Sequence, residues 1–276
     1  MIPTVVPESP FLWWGPSGAT GPRRSLSWLV ERGMLSAPVA GLLAAAVARR
    51  LSLAVVAGPS GAGKTTLLTA VLAHLPADAH RIYPRGQWES FAFLNDPGVN
   101  PARDAVLVNE ISPHLPGYLW GAGVGRLLDA ARRGFAAYAT AHASDGDGFC
   151  RMLAESAPLL PADAATAFHL VAGIDTSGGE RRVSGIWALS PTGTDGLRAV
   201  PVCTGDAGLG EIESGLRRAR RAGWGSGRDT PDVRTVAGAM RRLEIIGEDD
   251  GRGAERPGRM LARSRSTPPN GRAQLP

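Results

Sequence analysis

A chain of 276 residues, 43% of them hydrophobic, is long enough for one large α/β domain with appendages. Its longest apolar stretch, around Val39 to Ala48, ends at Arg49-Arg50, well short of the roughly 20 residues that span a bilayer. Two cysteines, Cys150 and Cys203, exclude a disulfide framework, and a proline-containing N-terminus without a basic start is no secretory signal, so a reduced, cytoplasmic protein is expected.

Residues 1–24, rich in Pro and Gly and carrying Trp13 and Trp14, read as an arm. A helix is predicted from Leu26 to Arg32, stopped by Gly33, and another from the N-cap Ser36, with Pro38 in its first turn, to Arg50. Leu51 to Ala57 (LSLAVVA) has the apolar continuity of a buried parallel strand. Thr65 to Leu75 places Leu67, Leu68, Val71, Leu72 and Leu75 on one helical stripe, closed by Pro76. Further strands are predicted at Arg81–Tyr83, Ala105–Val108, Phe135–Ala141, Ala167–Ile174, Arg182–Leu189 and Arg198–Cys203, with helices at Gly117–Arg133 and Gly148–Ala157. Alternating strands and helices followed by a strand-rich end predict an α/β fold, a mainly parallel sheet with a C-terminal antiparallel extension, over residues 25–204. Residues 205–276 hold 14 Arg against 10 Asp and Glu and read as a basic tail with two short helices, Gly210–Ala222 and Val233–Glu244. Removing that tail is expected to leave the central domain's site standing. A basic tail suits nucleic acid or anionic lipid, but its mixed charges and few aromatics fit a solvated segment better.

Of the 30 basic residues only one is lysine, and it is Lys64. It stands in Gly58-Pro59-Ser60-Gly61-Ala62-Gly63-Lys64-Thr65, which fits the phosphate-binding pattern G-x-x-x-x-G-K-[ST] without a mismatch and joins a predicted strand to a predicted helix. A slim, flexible ammonium reaches β- and γ-phosphates through a collar of backbone N–H groups; a wide planar guanidinium does not. Thr65 offers a hydroxyl for Mg²⁺ beside ATP, and Thr66 continues the loop into the helix N-terminus, where free N–H groups and the helix dipole favour anions. A similar stretch, Gly15 to Gly21, lacks both the lysine and a preceding strand and reads as a linker.

Glu110 follows the apolar run AVLV of Ala105–Val108 and is the carboxylate placed to orient water and hold Mg²⁺; the preceding position, acidic in many ATPases with this phosphate-binding loop, is Asn109. His142 follows the strand FAAYATA at the edge where ligands of open α/β sheets bind. His74, His80, His114 and His169 have no such placement.

Three motifs in this order resemble the type II/type IV secretion and pilus-assembly ATPases, especially the tight-adherence (Flp) pilus branch. Ser27 to Leu68 is similar to that family's run from the pre-core helix into Walker A, VLVNE to its acid-poor Walker B, and RRGFAAYATAHASD to its His box. Ala167 to Leu189 is similar to the closing hairpin, so the likeness covers about residues 25 to 205. It implies a RecA-like core, catalytic roles for Glu110 and His142, ATP and Mg²⁺ as ligands, and self-association as a ring of six. It also implies docking on an inner-membrane platform protein at the cytoplasmic face. The chain departs from the family in having about 25 residues before the likeness, too few for the domain that clamps the nucleotide. The acidic box is reduced to Glu89 and Asp96 as candidates, and the catalytic arginines fall to Arg81, Arg85 or Arg103.

Other readings differ in what they require. A non-hydrolysing or regulatory subunit of such a machine would bind ATP and split little. A nucleic-acid motor would use the basic tail. An ABC-type ATPase would need Thr176-Ser177-Gly178-Gly179-Glu180 before the Walker B strand, whereas it follows Glu110. A P-loop kinase would need an arginine-rich lid that the sequence lacks before its C-terminal strands.

Overall fold

The computed structural model describes residues 24–157, 161–193, 196–225 and 230–249. All but the last residue of the predicted arm, and the end of the basic tail beyond 249, lie outside them. Seven strands form one sheet: β1 (Leu53–Val56), β2 (Arg81–Ile82), β3 (Ala105–Ile111), β4 (Ala136–Ala141), β5 (Leu170–Asp175), β6 (Arg182–Thr192) and β7 (Gly196–Thr204). Their order is β2-β3-β4-β1-β5-β6-β7. The first five strands in this order are mutually parallel, and β6 and β7 add antiparallel ladders. This is the α/β class predicted from the sequence, and inserting β4 between the P-loop strand β1 and the acid-bearing strand β3 is consistent with a RecA-like core.

The helices are α1 (Leu26–Glu31), α2 (Ala37–Ala48), α3 (Lys64–Leu72), α4 (Ala122–Arg132), α5 (Gly146–Ser156), α6 (Pro161–Ala167), α7 (Leu209–Arg221) and α8 (Val233–Asp249). Because side chains alternate across a strand, β1 divides its residues between two cores. Leu53 and Val55 face a layer of α1, α2, α3, α7 and α8; Ala54 and Val56 face α4, α5 and α6. Both faces are therefore covered, which is why the parallel strands carry apolar runs rather than alternation. None of the described helices is long and apolar enough to cross a membrane.

The layer on the α3 side explains two features beyond Thr204. Helix α2 is buried without a break from Val39 to Val47, so it needs cover on every side. Ile212, Leu216 and Ala219 of α7, and Val236, Ala239 and Leu243 of α8, join its core. Gly41 lets α8 approach: a Cβ there would lie 2.8 Å from the Val236 carbonyl oxygen and 3.1 Å from Met240 Cβ.

Several predicted boundaries move: β3, β6 and α8 run on to Ile111, Thr192 and Asp249, and two starts shift. The helix predicted from Gly117 starts at Ala122, because residues 112–119 double back on β3: Glu110 O accepts from Leu119 N–H, and Leu119 O accepts from Ser112 N–H. Pro161–Ala167 is a helix, placing the start of β5 at Leu170 rather than Ala167; its small, weakly patterned residues (PADAATA) gave no periodicity to read.

Candidate functional site

The site is assembled at the C-terminal ends of β1, β4 and β3, which stand side by side. Strand β1 runs out through Ala57 into Gly58–Gly63, and α3 begins at Lys64. The loop's reversal rests on Gly61 (φ +73°) and Gly63 (φ +96°), left-handed conformations in which a side chain would be strained. Gly63 is the N-cap of α3 and supplies no side-chain cap, so the first N–H groups of the helix have no side-chain acceptor at that position. Thr65 and Thr66 are half-buried, and neither hydroxyl makes a hydrogen bond among the described residues. Pro59, Ser60 and Gly61 are exposed, and Ala62 is buried beneath them.

Glu110 owes its direction to a break in register. Val108 pairs with Ala139, yet Ile111, not residue 110, pairs with Ala141, so β3 carries one extra residue across Asn109-Glu110. Such a bulge re-aims a side chain near a site. The Asn109 carbonyl released from the ladder lies 2.6 Å from Thr140 Oγ1, whose hydroxyl also stands 3.1 Å from Glu110 Oε2. The other carboxylate oxygen, Oε1, lies 3.1 Å from Lys64 Nζ and 3.3 Å from His142 Nε2. These are ion-pair distances whose angles satisfy no hydrogen bond, leaving Oε1 buried without one. Lys64 and Glu110 are only 6% and 8% exposed, so the pair is shielded from water and its charges act strongly.

His142 closes the arrangement. Its Nδ1 lies 3.0 Å from the Gly58 carbonyl oxygen, tying the end of β4 to the start of the loop, while Nε2 faces Glu110. The structure thus brings together Gly58, Lys64, Glu110 and His142, with Thr65 and Thr66 on the adjoining turn of α3.

Three neighbours were not singled out in the sequence. Thr140 was hidden in a strand of alanines and one tyrosine; its signal is the single threonine on the strand preceding His142. His114 packs edge-on against His142, with ring centroids 5.4 Å apart, because residues 112–119 fold back over the end of β3. Tyr118 lies on the same loop; burial, and then the negative charge of Glu110, raises its phenol above the ordinary range.

The arginine and acidic-box candidates are placed elsewhere. Arg81 opens β2 and donates to the Leu72 carbonyl, and Arg103 pairs with Asp104 just before β3, so both sit at the opposite edge of the sheet from Glu110. Arg85 lies past the end of β2, on the Glu110 side. The Glu89 carboxylate accepts the N–H groups of Arg85 and Phe91, and Asp96 accepts that of Gly98, so each folds its own loop. A cleft of about 550 Å³, bounded by Gln87, Glu89, Phe91, Trp120 and Arg126, includes none of the loop residues Gly58–Thr66.

A Mg²⁺-nucleotide fits the residues present. The buried Oε1 of Glu110, the free hydroxyl of Thr65 and the left-handed cradle of Gly61 and Gly63, open at Gly61, are oxygen donors and anion space on one edge. No group of three or more His, Cys, Asp or Glu that could hold a metal without such a ligand occurs among the described residues.

No protein-family model matches the sequence, and no match is found among curated proteins. Among solved structures, the chain is similar to the VirB11 ATPase of the Brucella suis type IV secretion system, at 18% identity and a TM-score of 0.38, covering 59% of this chain and 54% of that one. It is also similar to the ATPase DotB of Legionella pneumophila (16% identity, TM-score 0.31, 76% and 60% covered) and of Yersinia pseudotuberculosis (13%, 0.36, 79% and 55%). The chain thus spans little more than half the length of these structures.

Proposed function

We propose that this chain binds Mg-ATP in the loop Gly58–Thr66 and hydrolyses it to drive a machine of the type II/IV secretion or pilus-assembly kind. One observation carries the reading: Lys64 and His142, from separate stretches of sequence, both lie within 3.3 Å of Glu110 Oε1 at the edge of the sheet. The order of motifs over residues 25–205 supports the type of machine.

In this account the amides of Gly61–Thr66 and the Lys64 ammonium hold the β- and γ-phosphates. Thr65 and Glu110 would hold Mg²⁺, which neutralises charge developing on the phosphate oxygens. Lys64 must turn from Glu110 to phosphate, a change that frees the carboxylate to accept a proton from, or align, the attacking water. Thr140 keeps that carboxylate in place through Oε2. His142, bridging Gly58 O and Glu110, reports the γ-phosphate to a neighbouring subunit of a ring, six by the resemblance. The protein is proposed to work at the cytoplasmic face of a membrane, held there by a platform partner.

A second reading, a subunit that binds ATP without splitting it, draws on the same pair: a Lys64–Glu110 contact that persists would leave no free base. Phosphate release from Mg-ATP by wild type and Glu110→Gln decides between them. Turnover that rises with protein concentration and vanishes in the variant supports the assembled ATPase; tight binding with no release by either protein supports the second reading.

A further inference from the structure

The structure assigns Arg181 as a second cation of the phosphate site, contacting the diphosphate of a bound nucleotide from the flank opposite Glu110; this rests on the nucleotide reading above. Strand β1 has two neighbours, β4 on one side and β5 on the other. Glu110 and His142 reach the loop from the β3 and β4 side. The turn between β5 and β6, residues 176–181, leaves the sheet at the same edge on the other side, because β5 runs parallel to β1.

That turn is held down at its end. The Val183 N–H donates to the Met34 carbonyl at 2.7 Å, and Val183 is buried in the core shared with α3. Arg181 lies two residues before Val183, just ahead of the start of β6. Its stem lies over the N-terminus of α3: a Cβ built on Gly63 would fall 3.5 Å from Arg181 Cδ and 3.6 Å from Met34 Cε. The neighbouring Arg182 is occupied, its Nε 2.9 Å from Glu180 Oε2. Arg181 is exposed and makes no hydrogen bond or ion pair among the described residues. An uncommitted arginine whose stem packs at the glycine that precedes Lys64 stands beside the loop amides that cradle α- and β-phosphates. None of the arginines expected from the sequence has this position.

The chemistry predicts a ligand class. Arg181 recognises a nucleoside diphosphate or triphosphate alike, since the γ-phosphate side is served by Lys64, Glu110 and His142. The test is calorimetric titration of the full chain with Mg-ADP, Mg-ATP and adenosine, for wild type, Arg181→Gln and Arg181→Lys, at low and high salt. Arg181→Gln is expected to weaken Mg-ADP and Mg-ATP about tenfold each, leave adenosine unchanged and flatten the salt dependence; Arg181→Lys recovers part of the loss. Equal affinity of Arg181→Gln and wild type for Mg-ADP would overturn the assignment alone, as would an equal loss for adenosine. A wild-type protein that binds neither nucleotide would overturn the nucleotide reading and this assignment with it.

Discussion

Lys64 Nζ lies 3.1 Å from Glu110 Oε1, which makes the only lysine of the chain the counter-ion of the one carboxylate at the end of β3. Both groups are shielded from water, so removing either charge leaves the other buried and uncompensated. Lys64→Met and Glu110→Gln are each expected to destabilise the fold by about 2–4 kcal/mol, and the double variant by clearly less than their sum. Urea unfolding of the four proteins measures the coupling. Additive losses would mean that the two side chains do not depend on each other.

The helices beyond Thr204 should be required for folding, contrary to the reading of that segment as a dispensable tail. Truncation after Thr204 would strip α7 and α8 from the uninterrupted apolar surface of α2 and is expected to yield aggregated protein. A finer test is Gly215→Ala, since a Cβ there would meet the Val202 carbonyl oxygen at 1.7 Å. Separating α7 from β7 should lower stability by about 1–3 kcal/mol in thermal or urea unfolding. A truncated chain that unfolds cooperatively at the wild-type temperature would contradict this.

Asp104 joins β2 to β3 from a fully buried position. Burial pushes its carboxyl up, but Arg103 and the N–H groups of Asn100 and His80 outweigh that and hold it below its ordinary 3.8. A depressed folded value means that the stabilisation is complete above about pH 4 and is lost as the pH falls through the folded value. Asp104→Asn should therefore cost about 1–3 kcal/mol at pH 7, and the gap from wild type should shrink below pH 4. Unfolding midpoints between pH 7 and pH 2 check this; a constant gap would contradict it.

Cys150 and Cys203 are both buried, and burial pushes each thiol up to about 12. Folding thus favours the protonated thiols, so their contribution is intact below the unfolded value near 9 and declines as the pH climbs toward 12. The native protein should react slowly with a thiol reagent at pH 8, and in denaturant both cysteines should react at once. Rapid native reaction of either would show that its site opens readily.

How much of this was legible in the sequence varies with the physical signal. The strand–loop–helix around Lys64 was readable because an apolar run, three glycines and a leucine stripe all agree. Glu110 and His142 were readable as strand-end polar residues, but their meeting was not, since it depends on β4 lying between β1 and β3 and on the bulge at Asn109-Glu110. The return of residues 112–119, which brings His114 and Tyr118 to the site, is fixed by backbone hydrogen bonds to β3 that leave no pattern in residue type. Arg181 was overlooked for a related reason: one arginine in a chain rich in them is not distinctive until β5 is placed beside β1.

The most direct test of the central claim is equilibrium titration of the full chain with Mg-ATP, wild type beside Lys64→Ala, at a temperature where both are folded. Losing a charge-assisted contact worth about 1.5–3 kcal/mol, the variant should bind roughly 10- to 150-fold more weakly than wild type. Identical affinities, or no binding by wild type, would contradict a phosphate site built on Lys64.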